Sequence, residues 1–463
     1  MVKLNRRHGF IQAFQRHKKT MGLDLEPSAY TESVYKRWFQ QLQKADKVFH
    51  KSQDALIKMT MPEIMVGKLP EPMFFKDPSN DLTFLPKHIM KFMRDPTKAT
   101  HWLLYSTVAG GRTIRIHIVH YQAHSHELKQ HDDSDSDEDN TEHTTSESKG
   151  VPLYWLKKYR EHVYKAFAWF QFIAPYTKDC DCSKELDVYL YFTPFKKNLP
   201  DTPSSTVGPQ HSNTGFTTSC TANLSKNGSK DRTEIIIYRY EEFFKVLLHE
   251  TMHNLDLDFG HMTDDVTVDH LFPGIKHDII LSETYAETWA RLLNVAFYSY
   301  YNILGGRGNY KKYQHAVQRC LATERAFSLY QATSVLAHMG LTLPQILSTD
   351  ATVKSLVSKK YSEDTNVFAY YILAGLTMLE ADLFLQWCKD TNKHNLICAN
   401  SGSAGSDALL ILIELIVKSS SSSTSSSSSL SDAIDVITKM KREIGSTGTT
   451  DENTNKSSRM TIW

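Results

Sequence analysis

Between Phe243 and Leu255 the chain reads FFKVLLHETMHNL, an apolar helical stretch interrupted by His249, Glu250 and His253. A helix this apolar packs into a core, and the three ionisable groups of HETMH need a compensating partner there. Residues four apart share a helix face, so the two imidazoles can grip one zinc ion. Glu250 lies one step round, beside the open side of such a metal, where a carboxylate takes a proton from water. Composition alone supplies about 0.05 such pentapeptides in a chain with this much His and Glu. The fold must therefore bury this helix and bring a third protein ligand to it.

A second apolar helix offers that ligand. Ser282-Glu283-Thr284-Tyr285-Ala286-Glu287-Thr288-Trp289-Ala290 continues through Leu292, Leu293, Val295 and Phe297. Glu283 and Glu287 are again four apart and face the same way. Two carboxylates among aromatic residues repel each other unless cations lie beside them. A metal and an imidazole N–H are the natural partners: one Glu binds zinc and the other orients a ligand histidine.

Around these helices the chain reads as α+β. Residues 1–100 form a helical N-terminal region, with helical spacing of Tyr35, Trp38, Phe39, Leu42 and Val48 and a Pro-rich extended connection from Pro62 to Pro96. Residues 101–300 form the catalytic domain, with a disordered acidic insertion at 124–150. Within it Thr113–Tyr121 alternates as a strand with one wet face, placing His117 and His120 on opposite faces. A long aromatic helix from Val151, strands at Asp187–Phe192 and Glu234–Tyr238, and the HETMH helix follow. Residues 301–418 are a helical C-terminal subdomain. Residues 419–463 are a Ser-rich linker, a last short helix and a polar tail.

Charge and cysteine usage narrow the partners. Lys and Arg number 53 against 52 Asp and Glu, so no global field draws the chain to nucleic acid or anionic membrane. The longest apolar run, Ala408–Val417, is about half of the roughly 20 residues a membrane span needs, and Glu414 interrupts it. The six cysteines (180, 182, 220, 320, 388 and 398) are scattered, with no CxxC pair. Reduced thiols and a basic N-terminus without a secretory core point to a soluble, intracellular protein, cytoplasmic or carried in a particle.

HETMH followed on a later helix by Glu-x-x-Ala-Glu resembles the gluzincin metallopeptidases, the group of thermolysin and of the catalytic domain of anthrax lethal factor. The resemblance covers roughly residues 187–300 and implies a zincin-like core: a small mixed sheet, the HETMH helix and the Glu helix, flanked by helical regions. It implies one zinc ion per chain held by His249, His253 and Glu283, with Glu250 as general base and Glu287 holding His249. Asn213, Thr214, Gly215 and Phe216, ahead of a strand and the motif helix, are similar to the edge strand along which such peptidases lay substrate backbone. The spacer between His253 and Glu283 is longer than thermolysin's, and no transition-state residue follows from the motif; His277, Tyr370 and Tyr371 are candidates. TPFKK, NTGFTT, HETMHNL and SETYAETWARLLN together also look like uncharacterised zincin-like proteins of large DNA viruses. The function this implies is zinc-dependent hydrolysis of peptide bonds in a peptide or protein substrate. A retired zincin fold used for binding, and a hydrolase of a non-peptide amide, are the alternatives. A retired site is free to lose Glu250, which binds no metal, and Glu250 is present.

Overall fold

The computed structural model describes residues 6–23, 25–50, 63–66, 68–78, 80–121, 151–177, 183–218, 232–259, 271–277, 279–392, 396–397, 403–421, 430–446 and 457–463. The acidic insertion at 124–150, Cys180, Cys182 and most of the serine tract lie outside them. The chain divides into two compact units interleaved along the sequence. One comprises Gln41–Lys196 and Thr214–Asp256; the other comprises Met1–Gln40, Lys197–Asn213 and Leu257–Trp463.

The first unit is built on a mixed six-stranded sheet: β1 (Glu63–Val66), β2 (Ala99–Ala109), β3 (Arg112–Tyr121), β4 (Glu185–Thr193), β5 (Gly215–Thr217) and β6 (Arg232–Arg239), in the order β1-β2-β3-β4-β6-β5. Strands β2 and β3 form an antiparallel hairpin. Its Gly110-Gly111 turn needs positive φ at both residues, 60° and 79°, which glycine adopts without a steric penalty. A Cβ at Gly110 would also lie 2.6 Å from Phe170 O, so the turn packs directly on the helix above it. Helix α1 (Leu153–Ile173) makes the crossover that lets β4 run parallel to β3. Strand β6 continues parallel to β4, and β5 closes the order antiparallel to β6.

Alternation along the strands sorts the two faces. Tyr189, Tyr191, Ile236, Tyr238 and Phe216 point to one side, against Leu85, Ile89 and Met93. Helix α2 (Phe243–Asn254) and α1 cover the other side, where Phe192 packs on Phe243 and Tyr159. The Pro62–Pro96 stretch is more ordered than an extended connection. It supplies β1, a 3-10 turn at Met73–Phe75 and a short helix at Lys87–Met93. Strand β3 also departs from expectation, because it has no wet face: it sits between β2 and β4, and Ile114 through Tyr121 are buried or nearly so.

Burial of β3 is possible because Arg115, His117 and His120 have polar partners. Trp102 Nε1 donates to His117 Nδ1 at 3.2 Å, which leaves the His117 proton on Nε2, 2.9 Å from Asp187 Oδ1. His120 Nδ1 meets Tyr159 Oη at 2.6 Å on the opposite face. Asp187 is fully buried. Burial pushes its pKa up, but the bonds from His117, Arg115 and Arg232 outweigh that and hold the carboxyl well below the usual range.

The second unit is helical. Its elements include α3 (Leu281–Tyr298), α4 (Tyr310–His338), a π-turn at Phe368–Leu373 running into α5 (Ala374–Leu379), α6 (Ala381–Thr391), α7 (Ser403–Ser421) and α8 (Leu430–Ser446). Among the described residues no single helix is long and apolar enough to cross a membrane. The segments Phe368–Leu379 and Ala381–Thr391 pass that test only as a pair bent by 94°. Their Phe368, Ile372, Phe384 and Leu385 are buried in the protein.

Candidate metal centre

In the sheet unit, α2 buries every residue from Phe243 to Asn254 except His253. Trp169 Nε1 on α1 donates to Thr251 Oγ1 at 3.0 Å, and Thr251 donates to Leu247 O at 2.6 Å, so the motif's middle residue locks the helix to its neighbour. One turn apart, His249 Nε2 and His253 Nε2 are 3.1 Å from each other, with the rings inclined at 72°. Two nitrogens on one tetrahedral zinc, each about 2.05 Å from it, stand about 3.3 Å apart. An N–H···N hydrogen bond between neutral rings fits the same spacing.

Glu250 faces the edge strand. Its Oε1 lies 3.3 Å from where a Cβ on Gly215 would stand, with Val246 Cγ1 at 2.8 Å and Ile236 O at 3.0 Å. Glycine at 215 is what allows β5 to approach α2 this closely. Thr214 O accepts from Tyr238 N at 2.9 Å, extending the pairing of β5 with β6. Phe216 points to the opposite face, where its ring centroid is 4.8 Å from those of both Phe74 and Phe84. The Met73–Phe75 turn behind it hangs on Glu234, which accepts from Met73 N at 2.7 Å and Phe74 N at 2.9 Å. Burial raises the Glu234 pKa, and these bonds oppose the rise.

Asn254, directly after the motif, joins α2 to three strands or their ends. Its Nδ2 donates to Thr217 Oγ1 at 2.9 Å and Thr218 O at 3.2 Å. Its Oδ1 accepts from Thr233 Oγ1 at 3.1 Å and Ser183 Oγ at 3.2 Å. The side chain is fully buried and both of its polar atoms are matched twice. Sequence reasoning passed over it, because an asparagine near a helix end reads as an ordinary stop signal.

In the helical unit, Glu283 lies in the first turn of α3, where the helix dipole favours a carboxylate. Asn366 Nδ2 donates to its Oε1 at 3.3 Å. Glu287 is fully buried and accepts from Arg291 Nε at 2.9 Å. Arg291 also donates to Ser328 Oγ at 2.8 Å and Tyr370 O at 2.7 Å. Glu287, which the gluzincin resemblance pairs with His249, has a partner on its own helix in Arg291. A buried arginine four residues after a buried glutamate was the signal for this pair.

Among the described residues, His249 and His253 in the sheet unit and Glu283 in the helical unit make up one possible His/His/Glu set for a metal ion. Two imidazole nitrogens and one carboxylate oxygen are the donor set of a catalytic zinc site with one position left open. The chemistry of the residues therefore fits the ion.

The remaining candidates are distributed more widely. Tyr371 is fully buried, with its hydroxyl donating to Ser458 O at 2.5 Å. Tyr370 presents its carbonyl to Arg291. His277 is exposed, with its ring 6.4 Å from that of Tyr361. Asn213 Oδ1 accepts from Thr365 Oγ1 at 3.2 Å within the helical unit. Comparisons with protein-family models, with curated proteins and with solved structures find no match.

Proposed function

We propose that the protein is a zinc-dependent peptidase with a zincin-like core, in which His249, His253 and Glu283 hold the ion and Glu250 is the general base. One observation carries the reading: the paired imidazoles and Glu250 sit on one buried helix, and the Glu250 carboxylate faces the edge strand at Gly215. A zinc ion in such a donor set lowers the pKa of water and polarises a scissile carbonyl. Glu250 takes the proton from the attacking water and passes it to the leaving amine nitrogen. Strand β5, last in the sheet order, pairs its outer edge with an extended peptide and so brings the scissile bond beside Glu250. Asn254 keeps β5 at that distance, and the lack of a side chain at Gly215 keeps the approach open.

The test is cleavage of a mixed peptide library followed by mass spectrometry. Activity should vanish with a chelator, return with zinc, and be absent in Glu250→Gln at unchanged zinc content. Equal cleavage by wild type and Glu250→Gln would remove Glu250 as the base and the proposal with it.

A further inference from the structure

The last described segment, residues 457–463, was expected to be a polar tail, yet Ser458, Met460, Thr461 and Ile462 are all buried. It forms no helix and only a single bridge, Ser457 to Asn198. What holds it is a set of side chains from the helical unit aimed at its backbone. Gln331 Nε2 on α4 donates to Ser457 O at 3.2 Å and Arg459 O at 2.5 Å. Tyr371 donates to Ser458 O, and Ser458 N donates to Lys197 O at 3.2 Å.

One side chain is read as well. Glu324 Oε2, on a fully buried carboxylate, accepts from the Thr461 hydroxyl at 3.0 Å and from Ile462 N at 3.3 Å. Asn294 Nδ2 donates to the same hydroxyl at 3.3 Å. At the end, the Trp463 indole stacks on Tyr298 with centroids 4.6 Å apart and donates to Cys320 O at 3.3 Å. Backbone carbonyls gripped by side-chain donors, one hydroxyl on a buried carboxylate and one aromatic anchor are how a protein holds an extended peptide ligand.

We propose that this groove in the helical unit is an exchangeable peptide-binding site, occupied in cis by residues 457–463. Its ligand is an extended peptide with a hydroxyl residue two positions before an aromatic one. The inference is independent of the peptidase reading. The segment rests on Tyr371, and the neighbouring Tyr370 carbonyl is held by Arg291, the partner of Glu287 on α3.

The test places a site-specific protease sequence within residues 447–456 of the full chain. The protein is folded, cut, and passed over a sizing column with and without excess fluorescein-labelled SSRMTIW peptide. The cut segment should co-elute with the body, and the labelled peptide should displace it and raise its own anisotropy on binding. A labelled peptide carrying Thr461→Val should bind about tenfold more weakly or worse, because it loses a hydrogen bond to a buried carboxylate. Should the cut body aggregate when separated, excess peptide should keep it in solution. Loss of the segment from a body that stays folded overturns the proposal. So do retention without exchange, equal binding of the Thr461→Val peptide, and aggregation that peptide does not prevent.

Discussion

Replacing Asn254 by alanine removes a fully buried amide that makes four hydrogen bonds: two from Nδ2 to the end of β5 and two to Oδ1 from Ser183 and Thr233. At roughly 0.5–1.5 kcal/mol net for each neutral bond, the loss comes to about 2–6 kcal/mol. For a unit of this size, at roughly 2–4 °C per kcal/mol, that lowers Tm by roughly 4–24 °C. Asn254→Asp separates the two halves of the effect. A carboxylate still accepts from Ser183 and Thr233 but can no longer donate to Thr217 and Thr218, and it sets negative charge against the Thr218 carbonyl. Thermal unfolding by circular dichroism, with amide hydrogen exchange at Phe216–Thr218, reads both variants. The alanine variant should lose stability and protection at β5 together; the aspartate variant should lose protection at β5 selectively. Unchanged Tm and exchange in Asn254→Ala would refute the claim that this side chain holds β5 against α2.

Arg291→Met leaves Glu287 buried without its cation and should cost about 3–5 kcal/mol in denaturant unfolding, most of it regained in the Arg291→Met, Glu287→Leu double variant. A single variant that unfolds like wild type would show the pair to be unimportant. Glu363, buried and bonded to Phe368 N at 2.7 Å and Tyr361 Oη at 3.0 Å, has its pKa pushed up to about 7 by burial. Because the folded state holds that proton more tightly than the unfolded chain, stability should fall as pH rises from about 4.5 to 7. Glu363→Gln should flatten this part of the pH–stability curve; an unchanged slope would point to another group. Gly215→Val puts carbon atoms where Val246 and Glu250 already stand. It should abolish peptide cleavage while zinc content stays the same, and retained cleavage would contradict the assigned path of the substrate along β5.

The two helices of the site were legible because each combines an apolar face with charged residues four apart, a pattern that surface helices do not need. Strands β4 and β6 were legible as short β-branched and aromatic runs. Strand β5 is three residues long, too short for periodicity, and only the family resemblance placed Asn213–Phe216 beside it. That resemblance could not say which side chains face the helix. Alternation turns Phe216 away into an aromatic cluster and leaves Gly215 toward Glu250. Strand β1 and the helix at Lys87–Met93 were hidden by prolines, which mark chain direction changes without excluding short elements between them. The expected wet face of β3 failed because His117 and Arg115 carry polarity into the core through Asp187, a long-range pairing that local alternation does not encode. The burial of residues 457–463 was equally invisible, since Met460, Ile462 and Trp463 are too few to show a period.

Zinc binding by His249, His253 and Glu283 is read from the zinc content and affinity of the purified full chain, measured by atomic absorption and competition with a chromogenic chelator. About one zinc per chain is expected. Affinity should fall markedly in His249→Ala, His253→Ala and Glu283→Ala, and less in Glu287→Ala than in Glu283→Ala. A folded protein that takes up no zinc, or that binds it equally well without His249 and His253, would contradict this ligand set.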